Sequence, residues 1–375
     1  MSTVETEGLS KALRDEIDSF EPRFDDPTDL AERLMAWLDG RPASQLFKLL
    51  DDLRVRRLYP LSIALLEYAW NSDLPDDRLG RVAEDWIGTV LFGIGDRRGG
   101  EEVAEHVIKT SAQHGPAFRS DLGHLLLQWG LTELAEPVVL EAAKSLPGDM
   151  SAQFNLGVVH KLKGRWSEAV DAFETVLQFR SNDQASSWNL GIAYTALGRL
   201  GDARRMWAQV GLPMPEDLAV DELSEGELIP VRLPRTDRGA EVLWARRIGP
   251  ARARLKGIAL DPTHGSYNDI VLLDGVPDGE TTYRDEQVPI FNVLARLALG
   301  GLAAYGLVPL DDDTSIQPLL DRLNAEVIPH ADWRPLAQLS HYPVVIALSE
   351  PDQLDLLREF AVFGRWEAIL PKTEE

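Results

Sequence analysis

Between Pro116 and Asp217 apolar and small residues recur every 34 positions, in several independent columns. Leu122, Leu156 and Leu190 form one; Gly123, Gly157 and Gly191 a second; Gly130, Gly164 and Gly198 a third; Ala135, Ala169 and Ala203 a fourth. Bulkier residues share further columns: Val139, Phe173 and Trp207; Ala142, Val176 and Val210; Leu126, His160 and Tyr194. The period and its helical apolar spacing predict two antiparallel helices per unit. Gly157 and Gly191 fall within the first helix, where glycine costs about 1 kcal/mol against alanine, so a close helix contact is expected there. Gly164 and Gly198 fall at the turn, where glycine supplies the left-handed conformation that ends a helix.

Upstream, Val82 to Gly115 reads as a further helix pair broken by Gly93, Gly95 and a loop at Gly99-Gly100. Gln45 to Arg57 and Pro60 to Trp70 read as another pair, and Asp26, Pro27 and Gly40 mark the cap, first turn and stop of an earlier helix. After Val210 the pattern changes. Pro213, Pro215, Pro230 and Pro234 punctuate a segment rich in acids, which reads as a linker or extended strap. Apolar runs at Val242 to Ile248, Leu255 to Leu260 and Asp269 to Asp274 then read as strands. Pro289 to Leu299 reads as a helix, and Val344 to Leu348, Asp352 to Phe360 and Trp366 to Leu370 as strand, helix and strand.

Asn155-Leu156-Gly157 with Gly164-Arg165-Trp166 and Glu168-Ala169, followed by Trp188-Asn189-Leu190-Gly191 with Tyr194 and Gly198, resembles the tetratricopeptide repeat pattern. The unit at 116–149 keeps the small-residue columns but departs from the pattern at Leu126 and Pro137. The expected fold class is multidomain: an N-terminal tetratricopeptide-like α-solenoid followed by a small mixed α/β (α+β) domain. The expected boundaries are an N-terminal helical segment (1–43), degenerate helical repeats (44–115), three tetratricopeptide-type repeats (116–217), an acidic, proline-rich linker (218–238) and a mixed domain of unrecognised family (239–375).

Composition narrows the function classes. Zero cysteines among 375 residues exclude disulfides, thiolate metal sites and a cysteine nucleophile. The polar, acidic start of the chain carries no secretory pattern, and no apolar run is long enough to span a membrane, so a cytoplasmic protein with no membrane partner is expected. A net charge of -23 argues against nucleic acid, whose non-specific binding needs clustered Lys and Arg.

The resemblance implies a concave surface made by the inner helices of each pair. Its inward positions are Phe154, Val158, Lys161, Trp188, Ile192 and Thr195, with Ser120, His124 and Gln128 in the weaker unit. An adaptor or scaffold that holds a protein or peptide partner in this largely apolar groove is the leading expectation, and self-association is left open. Some relatives hold an acidic C-terminus with several basic residues; here only Lys161 is present in that stretch, which argues against such a clamp. Phe154 and Trp188 could equally pack on the next repeat or on the chain's own C-terminal domain, and His160 reads as a packed core residue.

The span 232–256 reverses the charge, with Arg232, Arg235, Arg238, Arg246, Arg247, Arg252, Arg254 and Lys256 against Asp237 and Glu241. Arg246, Arg247, Arg252 and Arg254 are the candidate patch for an acidic partner. The alternative is an internal ion-pair strap with the acids between Glu216 and Glu227. For catalysis, His264, Asp269 and Asp274 lie near two turn-like stretches, 264–269 and 274–279, and keep open an enzyme in which the repeats present substrate. Turn formation explains the same residues. No catalytic residue, metal site or cofactor is indicated, because no phosphate loop, nucleophile elbow or zinc motif is present.

Overall fold

The structure is a computed structural model and describes residues 9–23, 25–72, 74–212, 226–234, 240–310, 316–332, 342–348 and 354–370. The chain divides into two compact units, Met1–Val159 and His160–Glu375. Among the described residues twelve α-helices precede the first strand.

The first unit holds α1 (Lys11–Ser19), α2 (Pro27–Leu38), α3 (Ala43–Val55), α4 (Tyr59–Trp70), α5 (Asp76–Gly88), α6 (Arg97–Thr110), α7 (Pro116–Gln128) and α8 (Thr132–Ser145), together with most of α9 (Met150–Leu162). Local chemistry sets several of these ends. The Asp26 side chain accepts a hydrogen bond from the Thr28 amide at 2.9 Å, Pro27 opens α2, and Gly40 at φ 69° stops it. A π-helical turn, Thr89–Ile94, continues α5 to Gly95, which is left-handed. Asp96 then caps α6 by accepting from the Gly99 amide at 3.0 Å. Gly99 and Gly100, expected as a loop, are therefore the first turn of α6. They are small because a Cβ on Gly100 would overlap the Leu91 side chain.

In the second unit α10 (Trp166–Phe179), α11 (Gln184–Ala196) and α12 (Leu200–Gln209) continue the succession. The first helices of successive pairs begin at 116, 150 and 184, and the second helices at 132, 166 and 200, so the 34-residue period of the sequence is the period of the structure. Gly130, Gly164 and Gly198 have φ of 69°, 68° and 69°. In each turn the next amide bonds back to the Leu126, His160 or Tyr194 carbonyl at 2.8–2.9 Å, satisfying an end carbonyl of the helix. The in-helix glycines have a different reason. A Cβ on Gly123 would sit 2.6 Å from Val139, and one on Gly191 would sit 2.6 Å from the Trp207 ring.

Beyond α12, strands β1 (Leu228–Arg232), β2 (Val242–Gly249), β3 (Arg252–Leu255), β4 (Ile270–Tyr283) and β5 (Glu286–Ala298) form a closed barrel in sequence order. Neighbours are antiparallel except at the closure, where β1 lies parallel to β5 through Val231 and Phe291. Alternate residues such as Val231, Ala245, Leu255, Val271 and Leu273 fill its core. Residues 228–232 were expected within the linker; they pair with β2 instead, and Ile229 and Val231 supply the buried side chains that make the pairing worthwhile. The remaining linker acids at 216–225 lie outside the described residues.

Three sequence expectations are overturned here. Pro289–Leu299, expected as a helix, belongs to β5 as far as Ala298, because Phe291 and Val293 turn into the barrel core and the segment pairs with β4. Tertiary pairing overrides the helix propensity of its Leu-Ala-Arg-Leu-Ala tail. The run Leu255 to Leu260 is not a strand beyond Leu255; Ile258 and Ala259 are buried in the loop that follows. Asp274–Gly279, expected as a turn, lies inside β4, where the register with β5 shifts between Leu273 and Pro277 and again before Glu280. The actual hairpin turn is Arg284-Asp285, both left-handed, the geometry that two-residue hairpins require.

The chain ends with β6 (Ala303–Pro309), α13 (Gln317–Ala325), β7 (His330–Asp332), β8 (Val344–Leu348), α14 (Leu354–Glu359) and β9 (Gly364–Leu370). The sheet order β7-β8-β6-β9 is antiparallel throughout, which is the split βαβ arrangement. One face packs on Leu319, Leu320 and Leu323 of α13. The other meets Ile258 and Tyr267 from the barrel. Every residue of β8 is buried, as a strand covered on both faces must be.

Candidate functional site

In the first unit the concave face opens as a cleft of about 640 Å³ between α5 and α7. Ala117, Asp121, His124 and Gln128 are exposed along one stripe of α7, at the three- and four-residue spacing of a helix face. Asp76, Gly80, Arg81 and Glu84 line the facing side of α5. His124 is held on both sides: Nδ1 lies 3.2 Å from Asn155 Oδ1, and Nε2 lies 3.0 Å from Gln128 Nε2. Asn155 also donates to the Ser120 carbonyl at 3.3 Å, so this asparagine braces neighbouring helices.

The walls are acidic. Burial raises the Asp121 carboxyl above its ordinary value, the nearby His124 opposes that rise, and the Asp149 charge adds to it. Arg81, the basic member of the lining, is drawn over the Phe47 ring at 4.1 Å and lies 3.7 Å from Asp85. Sequence reasoning found His124 and Gln128 but missed Asp76, Arg81, Glu84 and Asp121. Their signal was available as the stripes 76/80/84 and 117/121/124/128. Ser120, expected beside them, is buried. Phe154 and Val158 are half-buried on α9.

In the second unit the same columns look different. Lys161 is 6% exposed and its Nζ donates to both carboxylate oxygens of Asp274, at 3.0 and 3.2 Å. Trp188 stacks edge-on against Trp207 with ring centroids 5.2 Å apart. Its indole lies against the backbone of Gly275, where a Cβ would fall 1.5 Å from Nε1. Ile192 is fully buried, and Thr195 is buried with its hydroxyl donating to the Gly191 carbonyl at 2.7 Å. Lys161, Ile192 and Thr195 are thus covered by the chain itself, since strand β4 packs on α11.

The four candidate arginines do not form one patch. Arg246 and Arg254 are cross-strand partners on the outer barrel face. Arg247 points the other way, over the Phe291 ring at 4.6 Å, and burial lowers its pKa despite the Glu227 charge. Arg252 is buried. Alternation along β2 and β3 disperses what the sequence lists together. Arg232 pairs with Asp278 at 2.7 Å, while Arg235 and Arg238 lie outside the described residues.

His264, Asp269 and Asp274 each serve separate partners. Buried Asp269 accepts from the Ser266 and Gly300 amides at 2.9 and 2.7 Å and pairs with Arg296 at 3.3 Å. His264 is half-exposed beside Asp261, and Asp274 is bound to Lys161. Among the described residues no group of His, Asp and Glu could hold a metal ion, and no helix is long and apolar enough to cross a membrane.

No family model matches the chain, and no curated protein matches it. Solved structures similar to part of it include those of MamA. MamA AMB-1 is 24% identical over 43% of this chain and 92% of that one, with a TM-score of 0.33. MamA MSR-1 is 23% identical over 45% and 94%, at 0.34. MamA from Desulfovibrio magneticus RS-1, from residue 41 to its end, is 17% identical over 48% and 99%, at 0.36. At TM-scores this low, the assignment of helical repeats rests on the chain's own period and helix pairing.

Proposed function

We propose that this chain is a protein-interaction scaffold of tetratricopeptide type, and that the cleft between α5 and α7 takes a segment of a partner protein. The observation that carries this reading is the exposed stripe Ala117, Asp121, His124 and Gln128 facing an open cleft. Stacked helix pairs offer such a surface to an extended or helical segment. With Asp76, Glu84 and Asp121 along its walls, the cleft favours a segment bearing Lys or Arg, since complementary charge steers association and fixes register.

Peptides selected on the full chain from a random library test this. Enrichment in basic residues is expected, with binding lost in Gln128→Trp, which fills the cleft, and in Asp121→Arg, which reverses its charge. Selected peptides that bind both variants as well as the parent would remove the cleft from consideration.

A further inference from the structure

Strand β4 contains residues its partner does not match. Between the pairs Leu273–Val293 and Pro277–Phe291, β4 advances four residues while β5 advances two. The surplus is accommodated by the excursion Asp274-Gly275-Val276, which leaves the barrel ladder. The barrel core is filled without it, by Val271 and Leu273 ahead of the excursion and Val293 on β5. What Asp274 and Gly275 do contact is the concave face of the helix pairs. Val276, next in line, is 71% exposed.

The contact has two chemically distinct parts. One is a carboxylate position, where buried Lys161 places its ammonium between both Asp274 oxygens while the Gly275 amide donates to Oδ1 at 2.8 Å. The other admits no side chain, since the Trp188 indole fills the place of a Cβ at Gly275. Trp188 Nε1 is buried there and makes no hydrogen bond among the described residues.

We infer that the surface formed by Lys161 and Trp188 is a recognition site for an extended Asp-Gly segment, occupied in cis by residues 274–276 of the barrel. It is separate from the α5/α7 cleft and stands or falls without it. Because a tethered ligand acts at an effective concentration of the order of millimolar, a free peptide at micromolar concentration cannot compete with it. Freeing the site therefore requires spoiling the tethered copy.

The test uses a labelled peptide corresponding to residues 272–280 and the full chain. No binding to the unmodified protein is expected at micromolar peptide. Gly275→Leu, which cannot sit under Trp188, is expected to bind the peptide. Adding Lys161→Ala, or using the peptide with Asp274→Asn or Gly275→Leu, should weaken that binding about tenfold or more, the loss expected for a charge-assisted hydrogen bond. Asp274→Ala provides a milder variant should Gly275→Leu not fold, and hydrogen exchange of β4 and α11 reports whether the segment has left. Equal binding to parent and variant overturns the inference, as does no binding once β4 has lost protection. Unchanged protection in both variants also overturns it, since the two positions would then not hold the segment.

Discussion

The two concave surfaces of this molecule are built from the same columns and reach opposite states. His124 on α7 and Ile192 on α11 stand two periods apart in one column; the first is exposed in a cleft and the second is fully buried. Ser120 and Trp188 share the neighbouring column, and only Trp188 has a large ring to lay against a glycine. The difference teaches that a repeat column sets which way a side chain points, while what lies in front of it comes from elsewhere in the chain. A groove that looks available from its repeats is available only where nothing of the same chain has been built to fill it.

Truncation along one column gives the largest contrast. Ile192→Ala should cost about 2–5 kcal/mol by leaving a cavity, whereas His124→Ala should cost about 1 kcal/mol, the worth of its hydrogen bond to Asn155. Urea or thermal unfolding of both variants measures this, and equal effects would mean the two surfaces are not differently covered. Next comes the tether: Lys161→Ala should destabilise by about 1–3 kcal/mol, because it strands a largely buried Asp274 carboxylate. The double variant with Asp274→Ala should lose less than the sum of the two single losses. Smaller still, Gly164→Ala should cost about 1–2 kcal/mol from its left-handed backbone alone, since open space surrounds the position.

The smallest effect is one of pH at the open cleft. Because the Asp121 pKa is raised, its proton is taken up by the folded chain before the unfolded one as pH falls from neutrality. Its stability contribution therefore improves on acidification and is lost as pH rises through the raised pKa. The same proton removes negative charge from the cleft, so affinity for a basic peptide should fall as pH is lowered towards the upper carboxylate range. Asp121→Asn should flatten that dependence in a titration of peptide binding.

Much of the helical part was legible because its determinants are local. The glycines of the turns, the Asp26 cap and the 34-residue spacing each act within a few residues or recur visibly. The barrel was not. Its closure joins β1 to β5, and β5 carries residues that favour a helix until β4 pairs with them. The arginines of β2 and β3 are adjacent in sequence yet alternate between faces, so their clustering was a property of the string and not of the surface.

By itself the sequence determined the repeats: helix ends, turn conformations and the inward columns follow from periodicity and from residues whose backbone preferences act over one or two turns. Only the tertiary structure decided which part of that inward face remains open. Lys161 meets Asp274 at a sequence separation of 113, and Gly275 meets Trp188 at a separation too close for any side chain. Neither pairing leaves a local trace. Each is fixed by the folding of a barrel strand with two residues too many for its partner, pressed where a lysine and an indole could use them.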